Sequence, residues 1–165
     1  MHSLHLARAS LAALICIACA SPLAVGAQQQ SADTAYHSMQ ARGAMTMGVD
    51  QETSSHGFQS LPDGGRITFV RKIDDTAGVR KIRAHLHEMQ RAFGSGDFSM
   101  PMFIHMKTVP GVKEMADRRA QITYTETDLP NGGELRIATT DSTAIDAIHR
   151  FLAFQRDEHH AGSTP

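Results

Sequence analysis

The chain has little cysteine, and both of its cysteines lie near its start. Cys16 and Cys19 fall within residues 1–27, which also contain Arg8, an apolar stretch and a small-residue exit at residues 25–27. This is the layout of a secretory signal peptide. Its removal would leave no thiol, which excludes disulfides, cysteine nucleophiles and thiolate metal sites from the exported protein.

Long apolar runs are also missing. The apolar stretch of the signal, residues 11–20, is shorter than the roughly 20 residues that a helix needs to cross a bilayer, and no later stretch is as apolar. We therefore predict a periplasmic or secreted protein without a membrane span. The alternative is a lipid anchor on Cys19, because Ala18 suits the position before an acylated cysteine.

Neither sign of charge dominates the sequence. It has 16 Lys and Arg residues against 17 Asp and Glu residues, which gives a formal net charge of −1 with histidine neutral. Proteins that bind nucleic acid present an excess of basic residues on one face. We expect no nucleic-acid partner.

The motifs of several enzyme and cofactor classes are absent as well. The sequence has no Gly-x-Ser-x-Gly nucleophile elbow, no His-Glu-x-x-His zinc motif and no Cys-x-x-Cys-His for covalent haem. The glycine pairs at residues 64–65 and 132–133 lack the following helix that a phosphate-binding loop requires. No reaction is indicated by motif alone.

What the sequence does contain is one short pattern that occurs twice. Residues 61–65 read Leu-Pro-Asp-Gly-Gly and residues 129–133 read Leu-Pro-Asn-Gly-Gly, each between two short stretches of alternating apolar residues. Asp-Gly and Asn-Gly favour the positive φ angles of tight hairpin turns. Two β-hairpins are predicted.

A helical pattern follows each hairpin. Apolar residues recur at steps of three and four over about residues 76–93 and again over about residues 143–158. Asp75 is the candidate N-cap of the first helix and Gly94 its end, and the second helix is capped within residues 141–142. Each half of the chain is thus predicted to form a β-β-α unit.

These units predict an α+β fold: two β-β-α repeats forming a four-stranded, mainly antiparallel sheet with two helices on one face. The uncovered face would be polar and is a candidate surface for a homodimer; it would carry Gln59, Arg66, Thr68, Thr123, Thr125 and Arg136. We divide the chain into a signal peptide at residues 1–27, a flexible lead segment at 28–50, a single domain at 51–160 and a tail at 161–165.

Several short segments of the sequence match a known pattern: residues 47–51, 53–58, 64–65, 96–98 with Pro101, 104–105, 110–112, 147–152 and 154–155. In these segments the sequence resembles a family of small secreted bacterial proteins without an established function. Some members carry the label aspartate carbamoyltransferase, but the Ser-Thr-Arg-Thr phosphate loop of that enzyme is missing here, and family members usually have a second histidine where this chain has Gly57. The resemblance implies an exported single domain and no particular chemistry.

Histidines are the main candidates for a functional site, since imidazole, thioether and carboxylate are the metal ligands left without cysteine. Of the ten histidines, five are predicted to converge between the sheet and the helices, with His105 arriving from the connecting segment. The alternative is that they are structural, hydrogen-bonded within the core. The five candidates are His56, His85, His105, His149 and His159.

Methionines could add soft ligands. In an extended strand Met100, Met102 and Met106 would face one side. Thioethers suit Cu(I) and imidazoles suit Cu(II) or Zn(II), so copper or zinc is the expected metal, and noncovalent haem is the weaker candidate. Methionine is also an ordinary core filler.

Three functions remain open at this point. The first is a binding or accessory protein that holds a small ligand, a transition metal ion or a metal cofactor through histidines. The second is an interaction module that dimerises through its polar sheet face and uses its histidines structurally. The third is a small enzyme with His105 or His149 as general base.

Overall fold

The computed structural model describes residues 22–161. Most of the predicted signal peptide, with Cys16 and Cys19, and residues 162–165 of the predicted tail lie outside the described residues. The elements in chain order are α1 (Pro22–Met47), β1 (Ser54–Leu61), β2 (Gly64–Arg71), α2 (Thr76–Ser95), α3 (Ser99–His105), α4 (Val112–Asp117), a 3₁₀ turn (Arg119–Gln121), β3 (Thr123–Leu129), β4 (Gly132–Ala138) and α5 (Ser142–Glu158).

The four strands form one antiparallel sheet in the order β1-β2-β4-β3. The two hairpins pair along the sequence, and β2 and β4 join them at the centre, with Ile67 opposite Leu135. The predicted α+β architecture is confirmed. Two-residue turns at residues 62–63 and 130–131 close the two predicted hairpins. Of the Asp-Gly and Asn-Gly residues expected to adopt positive φ angles, only Gly64 does so, with φ 135°.

One face of the sheet is buried beneath α2 and α5. Alternate strand residues point to this face because strand side chains have a period of two. The apolar stripes of both helices pack on it. The buried side chains include Phe58, Ile67, Phe69, Leu135 and Ile137 from the strands, and Ile82, Leu86, Phe93, Ile148, Phe151 and Leu152 from the helices.

Each of these two helices lies mainly on the hairpin of the other unit. The first, α2, packs on β3 and β4, whereas α5 packs on β1 and β2. Glycines permit the close approach: a Cβ at Gly65 would come within 2.1 Å of Leu152 Cδ1, and one at Gly133 within 2.6 Å of Leu86 Cδ1. The second glycine of each Gly-Gly pair therefore leaves the space into which a leucine of the covering helix packs.

The helix ends follow the predicted capping chemistry with one exception. The carboxylates of Asp75 and Asp141 accept hydrogen bonds from the backbone N–H groups of Gly78 and Ala144, at 2.9 and 2.7 Å. Helix α2 does not end at Gly94 but continues to Ser95. It is stopped by Gly96, which has a left-handed conformation with φ 85°.

Residues 28–50 differ from the expected flexible segment, because most of them belong to α1. Alanine, glutamine and methionine favour helix, and the last turns bury Met39, Gly43 and Met47, which are spaced by four residues. This stripe is too short and too weakly apolar to give a clear helical pattern. Within residues 22–161, no helix combines the length and the apolar character that crossing a membrane requires.

The methionine-rich stretch is a helix rather than an extended strand. It forms α3, in which Pro101 lies in the first turn, where a missing N–H costs nothing. Helical spacing places Met102 and Met106 on the outer side, 41% and 69% exposed. Met100 is half-buried and faces inward. The expected single row of three methionines is therefore wrong.

The other face of the sheet is polar, as expected. Arg66 donates to Gln59 at 2.6 Å and lies 3.6 Å from Glu134, and Arg136 pairs with Asp63. These side chains bond one another across neighbouring strands and, at Asp63, to the first hairpin turn. A homodimer through this face stays a prediction.

Replacing Gly65 with alanine should destabilise the fold, because the new methyl group would overlap Leu152 and the Gln59 carbonyl oxygen. We expect a loss of about 1–3 kcal/mol in the free energy of unfolding, measured by urea titration. Gly94→Ala is the matched control: nothing lies within 4 Å of its added methyl group. It should stabilise α2 by about 0.5–1 kcal/mol. Equal effects of the two changes would contradict the close packing of Leu152 on Gly65.

Candidate functional site

Three imidazoles form a row at one end of the layer between sheet and helices. The ring centres of His56 and His159 are 5.1 Å apart, and those of His159 and His105 are 5.2 Å apart. The rings lie at 67° and 89° to one another. We call these three residues the histidine row.

Each member of the row comes from a different element. His56 lies near the start of β1 and shares the inward face with Phe58. His159 is the residue that ends α5, one turn after the buried Gln155. His105 is the last residue of α3 and is only 4% exposed. The row therefore forms only where these three elements meet.

His85 lies behind the row, on the buried stripe of α2. Its ring stacks on Phe69 with centres 5.9 Å apart, and the Phe69 ring in turn meets His56 edge-on at 4.7 Å. His85 is 5% exposed, and its Nδ1 has no hydrogen-bond partner in the described structure. An imidazole is thus placed deep in the core with an unused nitrogen.

His149, the fifth predicted residue, lies away from the others. Its Nε2 donates to the carbonyl oxygen of Leu61, at 2.9 Å, at the far end of β1. Ten residues separate it from His159, which is about 15 Å along a helix. The predicted convergence of all five histidines is therefore wrong for this residue, whose role is that of a satisfied polar group.

The interior holds these imidazoles in the neutral form. Burial lowers the pKa values of His56 and His85 to about 4. Burial and the neighbouring His56 and His105 lower the pKa of His159 to about 3, and burial also lowers that of His105. At neutral pH each ring therefore has a free lone pair on one nitrogen, which is the form that binds metals.

His105 is oriented by two side chains of α5. Its Nε2 donates to Gln155 Oε1 at 2.9 Å, which leaves Nδ1 as the nitrogen with the lone pair. That Nδ1 has no hydrogen-bond partner in the described structure and lies 3.7 Å from Glu158 Oε2. Lys107 holds this carboxylate in place, with Nζ 2.8 Å from both oxygens. A lone pair beside a carboxylate is an arrangement that favours a bound cation.

Two spaces meet at the row. Outside it lies a groove of about 300 Å³ with polar walls, including Tyr36, Gln40 and Lys72. Inside it lies a mainly apolar cavity of about 40 Å³. His56 and His159 line both spaces, so their rings stand between the groove and the cavity.

Several residues of this site were missed at the level of sequence. Met47 and Met89 line the cavity together with the predicted Met100. Gln155 and Glu158 orient His105, and of the two only Gln155 lies on the buried stripe of α5. The spacing of Met89 on its helix is indistinguishable from that of a core residue, and Met47 lies in a segment whose sequence shows no clear helical pattern.

Within residues 22–161, no group of three or more His, Asp or Glu side chains is arranged so that it could hold a metal ion as it stands. The row instead offers two successive imidazole pairs. Comparisons with protein-family models, with curated proteins and with solved structures found no match to this chain. The resemblance to the secreted family therefore stays a prediction.

Acid should weaken the fold before the carboxylates titrate. The folded pKa of His85, about 4, lies below its unfolded value of 6.5, so the unfolded chain binds more protons between these two values. The stability that this histidine contributes is present above pH 6.5 and is lost as the pH falls toward 4.

We expect each such histidine to remove about 1 kcal/mol from the free energy of unfolding between pH 6.5 and 5.5. Urea titrations at the two pH values will measure this loss. In the His85→Leu variant, the loss of unfolding free energy should be smaller by the amount that one such histidine contributes. An identical pH dependence in the two proteins would show that His85 is not held neutral.

Proposed function

We propose that this chain is a periplasmic or secreted binding protein that holds a transition metal ion, Cu(II) or Zn(II), at the histidine row. The observation that carries the proposal is the row itself: three buried or half-buried imidazoles from three elements, with ring centres 5.1 and 5.2 Å apart. Structural histidines do not need to be neighbours. Ligands of one ion do.

The ring spacing supports a shared ion. Two imidazoles that bind one tetrahedral ion through bonds of about 2 Å have ring centres roughly 5 Å apart. The spacing from His56 to His159 and from His159 to His105 agrees with this value.

Unused donor atoms also support the proposal. The Nδ1 atoms of His105 and His159 are buried and have no hydrogen-bond partner in the described structure. A buried nitrogen without a partner costs about 1–3 kcal/mol, and a metal ion would remove this cost at both rings. The Glu158 carboxylate at 3.7 Å from His105 would offset part of the ion's charge.

Calorimetric titration of the purified protein with Zn(II) and Cu(II) should show one ion bound well below millimolar concentration. His159→Phe should weaken binding at least tenfold, about 1.4 kcal/mol, because His159 is the member that both other rings touch. His149→Gln is the control, since that residue lies outside the row; it should bind as the unaltered protein does. Binding weaker than about 1 mM, or equal effects of the two variants, would end the proposal.

The affinity should also resist mild acid. An ordinary surface histidine, with a pKa near 6.5, is mostly protonated at pH 5.5 and loses its metal. His56 and His159, with pKa values of about 4 and about 3, keep their lone pairs at that pH. The dissociation constant for Zn(II) should therefore change less than threefold between pH 7 and pH 5.5. A loss of Zn(II) affinity of about eightfold or more per imidazole, which is what protonation of an exposed histidine with a pKa near 6.5 would cause over this range, would show that the ion is bound by exposed histidines instead.

A further inference from the structure

Three methionine thioethers from three helices surround the cavity inside the histidine row. They belong to Met47 of α1, Met89 of α2 and Met100 of α3. The first two side chains are 6% and 5% exposed, and the third is half-buried. The fold thus brings methionines that lie 42 and 11 positions apart in the sequence to one small space, which His85 also lines.

Methionine is a common gap filler, but a filler closes the space around it. Here the thioethers border a cavity of about 40 Å³, which exceeds the 10–15 Å³ or so that one water-sized guest needs. The same cavity is lined by His85, whose buried Nδ1 has no hydrogen-bond partner in the described structure. A cavity lined by this histidine and by three thioethers suits a guest that both kinds of side chain can bind.

The charge of the lining selects the kind of guest. Among the described residues that line the cavity there is no Asp, Glu, Lys or Arg; its polar members are histidines and glutamines. A divalent ion in such a place would keep its full charge in a low dielectric, which is costly. A monovalent ion loses less hydration energy when it enters such a place. Thioether and imidazole are the ligands that Cu(I) prefers.

We propose that this cavity binds a single Cu(I) ion through Met47, Met89, Met100 and His85. The proposal deepens the proposed function and rests on it for the route of entry: His56 and His159 line both the groove and the cavity, so an ion passes between their rings. The ion enters and stays as Cu(I), and no electron transfer is involved.

The test is a competition for Cu(I) against a chromogenic Cu(I) chelator under anaerobic, reducing conditions. The unaltered protein should withdraw one Cu(I) per chain from the chelator. Met47→Leu/Met89→Leu conserves side-chain volume and should weaken Cu(I) binding at least tenfold. Met102→Leu is the matched control, because that methionine lies on the outer side of α3, and it should leave Cu(I) binding unchanged.

Copper K-edge absorption of the loaded, unaltered protein provides a second measurement that does not depend on the variants folding. Sulfur neighbours of the copper support the cavity site, and a shell of nitrogen and oxygen alone overturns it. Failure of the unaltered protein to compete with the chelator, or unchanged Cu(I) binding in the double methionine variant, also overturns it.

Zn(II) titration of the same samples separates this inference from the proposed function. If the double methionine variant loses Cu(I) and keeps Zn(II), the cavity proposal is supported. The histidine row is then a separate site that binds a harder metal ion. If His159→Phe loses Zn(II) and all methionine variants keep Cu(I), the row binds metal and the cavity proposal is wrong. If the unaltered protein binds Cu(I) with sulfur neighbours but binds neither Zn(II) nor Cu(II), the cavity proposal stands and the proposed function fails.

Discussion

The position of α5 on the first hairpin is the constraint on which the candidate site depends. Leu152 packs directly on Gly65, and this contact fixes the helix along the strand. Because α5 runs opposite to β1, its first half meets the end of that strand and its last residues meet the start. His149 therefore bonds Leu61 at one end, and His159 reaches His56 at the other. A different helix position would separate the row.

Burying several imidazoles is expensive for a small domain without disulfides. Each ring must stay neutral, and the Nδ1 atoms of His85, His105 and His159 have no hydrogen-bond partner to offset the loss of water. The cost is carried by the apolar layer around them, in which Phe58 and Phe69 contact the rings. Such a cost is typical of groups retained for binding, since a leucine would fill the same space without it.

Much of the fold followed from the sequence because its signals are local. The hairpin turns, the caps at Asp75 and Asp141 and the two apolar stripes each depend on residues within a few positions. The site was predictable only in part. His56, His85 and His159 were placed by strand and helix periodicity, but the distance of His149 depends on how α5 is aligned with β1, which no local pattern encodes. The methionine stretch was misassigned because a helix of seven residues has too few turns to reveal its period.

The first helix, α1, contributes to the walls of both the cavity and the groove. Its last turns close the cavity with Gly43 and Met47, and Tyr36 stacks on His160 at the rim of the groove, with ring centres 4.3 Å apart. A fragment limited to residues 51–160 would keep the whole sheet and both helices that cover it, yet its cavity would stand open on one side. Residues 51–160 therefore contain the sheet and its two covering helices but lack part of the cavity wall and the core residues Met47 and Val49.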